Sequence, residues 1–373
     1  MYLNSTMHEA GVYVHIPFCA AKCSYCDFLS FSGMEKIYDC YVTSLLNEIR
    51  TAKIEKVTTV YIGGGTPTVL PINHIQSILA CIYDLPLTVD AEISIEVNPG
   101  TVNHEYFKLL NDSGVNRLSF GLQTTNNQHL LSIGRIHTYE QFINNYHSAL
   151  ENGFKNINVD LIFNLPYQTV NCFYETLIKV ISLKPQHISF YSLTLCENTP
   201  LWIDIQKEVL TLSDEVDRSM YYLACKQLSN AGFIHYEISN AAKPGFECKH
   251  NIDCWLHKPY IGFGLGSHSF DGVRRWNNPE NFNDYFNRTT PVYECLCKKD
   301  LISEAMILGL RLLDGINEQS FIKKYGVIPS EYYSSQIKSL LNEELICKNN
   351  NRIYLTPRGL DFANYVFTHF MEV

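Results

Sequence analysis

The stretch that decides the fold is residues 13–28, YVHIPFCAAKCSYCDF, in which a short apolar strand pattern leads into a loop with three cysteines. Cys19, Cys23 and Cys26 have the spacing C-x3-C-x2-C and follow the strand directly. Three thiolates can ligate three corners of an iron–sulfur cubane, which leaves the fourth iron open to the amino and carboxylate groups of a small molecule. The spacing therefore predicts a [4Fe-4S] cluster with one open site.

Structural zinc is the alternative for the same loop. A structural zinc site needs four ligands, usually in two distant pairs, whereas here three thiols share one loop and only His15 is a nearby fourth candidate. The chain has 13 cysteines. Most of the others lie singly in apolar patterns, as expected of reduced core thiols and not of a disulfide framework.

Outward from this loop, the first two-thirds of the chain alternates β-rich runs with amphipathic stretches. Strands are predicted at 12–16, 58–62, 92–97, 117–121, 156–163 and 187–194. Helices are predicted at 35–52, 73–83, 105–111, 139–151, 171–183 and 220–229. Strands separated by helices require right-handed crossovers and form a parallel sheet. The predicted fold class is α/β, with a partial (β/α)6 barrel over residues 1–231 that is open on one side.

Two further segments follow the barrel. Residues 232–299 are rich in Gly, His and aromatic residues and predict a linking segment with short strands. Residues 300–373 predict three helices and a hairpin around Asn349–Asn351, which is a winged-helix-like pattern. DNA binding is one interpretation, but this segment has 7 Lys and Arg against 9 Asp and Glu. A structural or lid role is therefore favoured.

Composition narrows the function classes. The net charge is −9, so no overall attraction for nucleic acid or an anionic membrane is expected. The N-terminus lacks a secretory signal pattern, and no window is apolar enough to span a bilayer. A cytoplasmic protein is predicted.

Polar residues and glycines mark the ends of several predicted strands. The sequence GGGTPT follows the second strand and allows close approach of backbone to a ligand, although it also fits a simple β-to-α turn. Glu96, Gln123 and Asp160 lie near the carboxyl ends of three strands, where ligands gather in parallel barrels. For Glu96 and Asp160, a helix cap or an ion pair with Arg117 or Arg135 is the alternative.

These motifs together resemble the radical SAM superfamily, whose signature is C-x3-C-x2-C followed by an aromatic residue. The longer match HIPFCxxKCxYCDF is similar to the coproporphyrinogen oxidase-like branch. Within it, the chain resembles the HemW heme chaperones more than the oxygen-independent coproporphyrinogen III oxidases. The oxidases carry a further cysteine at the position of Phe28, and a long arm where only 18 residues precede Cys19.

The resemblance implies that S-adenosylmethionine (SAM) binds next to the cluster. The positions that match the family's SAM contacts are Tyr13, Gly64, Gly65, Thr66, Glu96, Gln123, Arg135 and Asp160. A ribose diol suits Asp or Gln, and a carboxylate suits Arg, which agrees with these residue types.

The segment KHNIDCW, residues 249–255, resembles the family's HNxxYW motif, whose histidine is implicated in holding heme. His250, Asn251 and Trp255 match, but Cys254 replaces the tyrosine. A neutral imidazole is a suitable axial ligand for heme iron. Zinc on Cys248, His250, Cys254 and His257 is a rival interpretation.

The resemblance implies a binding and transfer protein that holds the cluster and SAM, binds heme and delivers it to an apo-hemoprotein of respiration. It leaves room for a homodimer and for no more than peripheral contact with a membrane. An oxygen-independent coproporphyrinogen III oxidase is the alternative function. A radical SAM enzyme with an unrelated substrate is a third.

Overall fold

A computed structural model describes residues 7–207 and 212–371. Its centre is a run of six parallel strands, in which each strand pairs with its neighbour in sequence. The six strands are β1 (Ala10–Ile16), β2 (Val57–Gly64), β3 (Leu87–Val97), β4 (Arg117–Gln123), β5 (Ile157–Phe163) and β6 (His187–Ser192). The predicted strands are confirmed, with ends that differ by a few residues.

Alternation along these strands separates an apolar outer face from a polar inner face. On β4, Leu118 and Phe120 are fully buried in the main apolar core, where Phe120 contacts the ring of Phe142 at 5.7 Å. Arg117 and Ser119, which alternate with these two residues, face the other side of the sheet, as the period of two along a strand requires. Because the parallel strands are covered by helices on the outside, the polar inner face becomes the interior of a partial barrel.

In the described part of the chain, eight α-helices connect or follow these strands. They are α1 (Tyr38–Arg50), α2 (Ile72–Tyr83), α3 (His104–Asp112), α4 (Asn127–Ser132), α5 (Tyr139–Glu151), α6 (Val170–Ser182), α7 (Pro200–Gln206) and α8 (Asp214–Asn230). Side-chain caps fix several of their starts, and Thr138 forms a capping box with Gln141 at the start of α5. The short helices α4 and α7 were not predicted, because six or seven residues give too little periodicity to detect.

The segment after α8 extends the same sheet at both edges. Its strands are β7 (Ile234–Glu237), β8 (Asn240–Ala242), β9 (Tyr260–Phe263), β10 (His268–Phe270), β11 (Arg274–Asn277) and β12 (Tyr293–Cys295). The sheet order is β12-β11-β10-β9-β1-β2-β3-β4-β5-β6-β8-β7. Within the described ranges β12 and β7 do not pair, so the barrel is open, as predicted. This segment also contains α9 (Lys249–Trp255) and α10 (Phe282–Phe286).

The C-terminal segment has an apolar core of its own. It contains α11 (Lys298–Gly309), α12 (Glu318–Tyr325), α13 (Pro329–Tyr332), α14 (Ser334–Asn342), α15 (Pro357–Asp361) and α16 (Ala363–Thr368). Strands β13 (Ile316–Asn317), β14 (Ile346–Asn349) and β15 (Arg352–Leu355) form a small antiparallel sheet. The hairpin turn falls at Asn350 and Asn351, both with positive φ. The three-part division of the chain stays a prediction.

The helices give no sign of a membrane span. Across residues 7–207 and 212–371, none combines the length and the apolar character that crossing a bilayer requires.

Candidate cofactor site

The cysteine loop leaves the carboxyl end of β1 and is fixed by the main chain. Its first residues form a two-residue strand, Phe18–Cys19, that pairs with Phe31–Ser32. Ser24 donates its N–H to Ile133 O at 3.1 Å and accepts from Leu201 N at 2.9 Å. Ile133 follows α4 and Leu201 lies in α7, so the two unpredicted helices hold the loop in place.

The three thiols of this loop are free, and two receive side-chain hydrogen bonds. Thr66 Oγ1 donates to Cys19 Sγ at 3.6 Å, and Arg135 Nη1 donates to Cys23 Sγ at 3.6 Å. Burial raises the pKa of the Cys19 and Cys26 thiols, while the Thr66 hydroxyl opposes this for Cys19. Donors aimed at sulfur stabilise thiolates, which are the form that ligates iron.

The glycine loop after β2 packs directly against the cysteine loop. Gly65 N donates to Ile16 O at 2.8 Å, and Thr66 N donates to Phe18 O at 2.7 Å. A Cβ at Gly65 would lie 2.9 Å from Cys19 Sγ and 2.6 Å from Phe18 O. Gly64 has φ +120, which side chains rarely adopt. Glycine is therefore required here for the close approach to Cys19, beyond the needs of a simple turn.

A cavity of about 500 Å³ opens next to these loops. Its walls come from the cysteine loop and from β2 to β6, so the inner face of the sheet is concave. Predicted site residues in the wall are Cys26, Gly64, Gly65, Thr66, Glu96, Gln123 and Asp160. The structure thus brings together residues that are more than 130 positions apart in the chain.

Two further predicted residues lie behind this wall. The Tyr13 hydroxyl shares a hydrogen bond with His15 Nδ1 at 2.9 Å. The Tyr13 ring stacks on Tyr61, with 6.4 Å between the ring centres. Arg135 donates to Gly121 O and to Asn98 Oδ1, in addition to Cys23. Tyr61, Gly121 and Asn98 line the cavity, so both residues support the wall.

The cavity holds two carboxyl groups that differ from surface acids. Burial, followed by the negative charge of Asp160, raises the pKa of Glu96 to about 7. Burial also raises the pKa of Asp160, which accepts hydrogen bonds from Asn158 Nδ2 at 2.7 Å and Ser119 Oγ at 3.2 Å. Glu96 accepts from Tyr61 Oη and from Gly64 N, each at 3.1 Å.

In the part of the chain that the structure describes, neither acid forms the direct ion pair or the helix cap that is its structural alternative. In the described ranges neither carboxylate lies within ion-pair distance of Arg117 or Arg135, although the positive charge of Arg117 opposes the rise in both pKa values; the backbone N–H bonded to Glu96 belongs to the glycine loop. Neither acid caps a helix. Both line the cavity.

Comparison of the sequence with known proteins identifies the family of this chain. A Radical SAM superfamily profile matches residues 13–180, and a HemN C-terminal domain profile matches residues 296–362. "Heme chaperone HemW" of Lactococcus lactis is 37% identical over 368 residues, covering 97% of each chain. HemW of Bacillus subtilis is 34% identical, covering 97% of this chain and 99% of the other. The chain belongs to the HemW family of the radical SAM superfamily.

The fold of a solved family relative agrees. Escherichia coli coproporphyrinogen III oxidase HemN, a radical SAM enzyme, matches 98% of this HemW-family chain and 90% of its own. The TM-score is 0.85 at 23% sequence identity. At that identity the likeness establishes the shared α/β architecture only.

A radical SAM domain implies a [4Fe-4S] cluster and SAM, and the residues of this HemW-family chain fit both. The three free thiols share one loop, and Gly65 leaves room for Cys19 Sγ. Behind the cavity wall, the buried Nε of Arg135 has no hydrogen-bond partner in the described part of the chain. Cys19, Cys23 and Cys26 would hold the cluster.

Zinc on the cysteine loop does not fit. Both nitrogens of His15 are engaged, Nδ1 with the Tyr13 hydroxyl and Nε2 with Leu29 O at 2.9 Å. No three His, Cys, Asp or Glu side chains come close enough to hold a single ion within residues 7–207 and 212–371. A cubane binds its thiolates on separate irons, so it needs no such convergence.

Sequence reasoning missed Tyr61 and Asn98, which both line the cavity. Each lies two residues from a loop or strand residue that had been noticed, Gly63 and Glu96 respectively. Period-two alternation puts such neighbours on the same face of a strand. That signal was present in the sequence, but it does not say which inward residues reach a ligand.

The structure places His250 away from the cavity wall, at the amino end of the barrel. Its Nδ1 shares a hydrogen bond with Thr59 Oγ1 at 2.9 Å, and its ring stacks on Tyr61 at 5.4 Å. It is 7% exposed. Burial, followed by the positive charge of Arg117, lowers the pKa of His250 to about 4, so the imidazole is neutral.

The rest of the KHNIDCW segment forms α9, which closes this end of the barrel. Glu92 accepts from Lys249 N and His250 N, each at 3.2 Å, and anchors the start of the helix. The guanidinium of Arg311, in the C-terminal segment, lies 4.4 Å over the Trp255 ring. His250 and Trp255 therefore join α9 to two different parts of the molecule.

Zinc on this segment is also wrong. His250 points into the barrel, whereas His257 lies 3.2 Å from Glu304 through Nε2 and stacks on Phe270 at 4.4 Å. Cys248 donates to Glu92 at 3.6 Å. The four proposed ligands do not meet.

Proposed function

We propose that this chain is a heme chaperone that holds a [4Fe-4S] cluster and SAM, binds heme and transfers it to an apo-hemoprotein, of respiration in the first instance. The observation that carries the proposal is a single loop with three free thiols, two of which accept side-chain hydrogen bonds, that borders a cavity of about 500 Å³ through Cys26. The HemW relatives, matched over nearly their whole length, support the chaperone role.

The residues of the cavity have distinct tasks in this proposal. When bound, the cluster can supply one electron to the sulfonium of SAM. Arg135, through its unpartnered Nε, binds the carboxylate of SAM. Gln123 and Asp160 bind the ribose hydroxyls, and Glu96, ionised above a pKa of about 7, faces the positive charge of the ligand.

Phe28 bears on the choice between chaperone and oxidase. It lines the cavity beside Cys26 and is 63% exposed. A phenyl ring there cannot ligate iron as a thiolate would, and it offers an apolar surface at the mouth of the cavity. We propose that this surface faces heme or the recipient protein.

His250 stays a candidate axial ligand for heme. Its Nδ1 is oriented by Thr59, and the neutral ring suits iron, as is usual for metal-binding histidines. Because the ring lies on the barrel-facing side of α9, heme can reach it only if α9 moves away from the barrel. We therefore propose that heme loading is coupled to displacement of α9.

Anaerobic reconstitution tests the proposed function. We expect the purified chain to bind iron and sulfide, to develop a Soret band with heme, and to pass heme to an apo-hemoprotein. Consumption of coproporphyrinogen III with SAM cleavage would instead identify an oxidase. Failure to bind heme in the cluster-loaded state would contradict the chaperone role.

Substitution of His250 tests the heme site separately. His250→Ala is expected to abolish or shift the Soret band while the cluster absorbance stays. His268→Ala is the matched control, since His268 is exposed on β10. An unchanged heme spectrum in His250→Ala would place the ligand elsewhere and leave the chaperone proposal intact.

A further inference from the structure

A continuous hydrogen-bond chain links two of the cluster cysteines through Asn98. Asn98 Nδ2 donates to Thr66 Oγ1 at 3.4 Å, and Thr66 Oγ1 donates to Cys19 Sγ at 3.6 Å. On the other side, Arg135 Nη2 donates to Asn98 Oδ1, and Arg135 Nη1 donates to Cys23 Sγ at 3.6 Å. Asn98 thus contacts Thr66 and Arg135, the two residues that donate hydrogen bonds to sulfur, but it contacts neither sulfur itself.

The chemistry of the partners fixes the direction of every bond in this chain. A guanidinium can only donate, so the Asn98 atom that faces Arg135 is its carbonyl oxygen. The amide NH2 then faces Thr66 and donates to the hydroxyl oxygen. With its lone pair used in this way, the Thr66 hydroxyl directs its single proton towards Cys19.

The location of Asn98 makes it suited to this task. Its backbone N–H donates to Thr68 Oγ1 at 3.4 Å, which ties it to the glycine loop at a second point. Arg135 is also held by Gly121 O of β4. The amide therefore lies between the ends of β2, β3 and β4 and connects them beneath the cysteine loop.

We propose that Asn98 is a positioning residue for the cluster: it orients Thr66 and Arg135 as donors to two ligating sulfurs and so raises the reduction potential. The inference rests on the proposed cluster. Reduction adds negative charge to a cluster, and hydrogen bonds to its sulfurs offset that charge. Weaker or misdirected donors therefore make the cluster harder to reduce.

An EPR-monitored redox titration of the anaerobically reconstituted full chain tests the proposal. Asn98→Ala is expected to lower the reduction potential at unchanged iron content. Asn98→Asp should lower it further, because a carboxylate adds negative charge and accepts the Thr66 proton that Cys19 now receives. Asn145→Ala is the control: it removes bonds to Gly100 N and Val102 O in the loop after β3, outside the chain of bonds.

A double-substitution series separates positioning from general loosening of the site. Thr66→Val keeps the side-chain shape, removes one donor and should lower the potential by itself. In the Thr66→Val background, Asn98→Ala should lower the potential by less than it does in the wild-type chain. The reason is that Thr66, one of the two donors that Asn98 orients, is already gone.

Several outcomes would overturn the inference. They are a wild-type potential in both Asn98 variants, fully additive shifts in the double variant, or an equal shift in Asn145→Ala. If neither Asn98 variant assembles a cluster, a wild-type potential in Thr66→Val overturns it. A wild-type chain that binds no cluster would instead contradict the proposed function.

Discussion

The two ends of the barrel interior are formed by the same strands, yet they are completed in different ways. At the carboxyl end, glycines and short loops leave a cavity of about 500 Å³ beside three free thiols. At the amino end, α9 fills the barrel. His250 shares a hydrogen bond with Thr59, and Glu92 accepts hydrogen bonds from the start of the helix. Both ends are polar, so polarity alone does not identify a ligand site.

The difference lies in the space that the protein leaves beside its polar groups. Glu92 accepts from two backbone N–H groups and a thiol, all belonging to α9 or its cap. Buried donors without a partner occur at both ends in the described ranges: Arg117 Nε and Nη1 at the amino end, and Arg135 Nε at the carboxyl end. A buried group that the protein leaves unsatisfied is costly unless a ligand completes it. The cavity of about 500 Å³ beside the three thiols, and not the unpartnered donors, therefore makes the carboxyl end the candidate ligand site.

The largest expected effect is loss of the cluster. Cys19→Ala removes one of three ligands in a single loop, so visible absorbance and iron content after reconstitution should fall to the background level. Far-UV circular dichroism should be unchanged, because the metal-free chain keeps its barrel core. Cys40→Ser, at an exposed thiol on α1, should retain the cluster. Full iron binding in Cys19→Ala would refute the ligand assignment.

Crowding at Gly65 should be nearly as damaging to the carboxyl end. Gly65→Ala places a Cβ 2.9 Å from Cys19 Sγ and 2.6 Å from the carbonyl oxygen of Phe18, and the backbone cannot yield easily. We expect iron content to fall several-fold, measured by iron and sulfide assay.

Gly245→Ala is the comparison variant for Gly65. Nothing lies within 4 Å of its added Cβ, and its φ of +84 gives it a cost of its own. We expect Gly245→Ala to lower the free energy of unfolding by about 1 kcal/mol and to retain its iron. Equal iron loss in both variants would contradict a specific role of Gly65.

The pH dependence of stability should report on Glu96. Its pKa is raised from 4.5 to about 7 in the folded chain, so the folded state keeps a proton that the unfolded state releases. The free energy of unfolding should therefore fall as pH rises from about 4.5 to 7 and then level off, by up to about 3 kcal/mol. Urea unfolding of the metal-free chain measures this.

Glu96→Gln cannot titrate at this position, so it should flatten much of that slope. Asp160, whose pKa is also raised by burial, accounts for a remainder. Identical slopes in wild type and Glu96→Gln would show that Glu96 is already ionised in the folded chain.

The smallest effect is expected at the closed end. Glu92→Gln keeps the shape of the side chain but puts an NH2 group among donors, so the free energy of unfolding should fall by about 2 kcal/mol. Cluster content should not change. Asp90→Asn, exposed on the same strand, should leave both quantities near wild type. Cluster loss in Glu92→Gln would show that the two ends are coupled.

Much of the fold was predictable because parallel strands and their helices leave local patterns. All six strands and the cysteine and glycine loops follow from alternation, spacing and position in the β/α series. The short helices α4 and α7 were missed, although they hold the cysteine loop through Ile133 and Leu201. Their role depends on contacts between segments more than 100 residues apart, which no local window contains.

The site was predictable in part for the same reason. Residue type and strand position placed Glu96, Gln123 and Asp160 in the cavity wall. The positions of Arg135 against Cys23, of Asn98 between its two partners and of His250 on the inner side of α9 depend on packing in three dimensions. The predicted zinc alternative at His257 was wrong because Glu304 and Phe270, distant in sequence, already surround that ring.

The most direct test of the three-cysteine site is the EPR spectrum of the reduced, reconstituted chain before and after SAM is added. If one iron lacks a protein ligand, SAM should bind that iron and change the EPR signal of the reduced [4Fe-4S]⁺ cluster. A spectrum that SAM leaves unaltered, or a chain that binds no iron, would contradict the account.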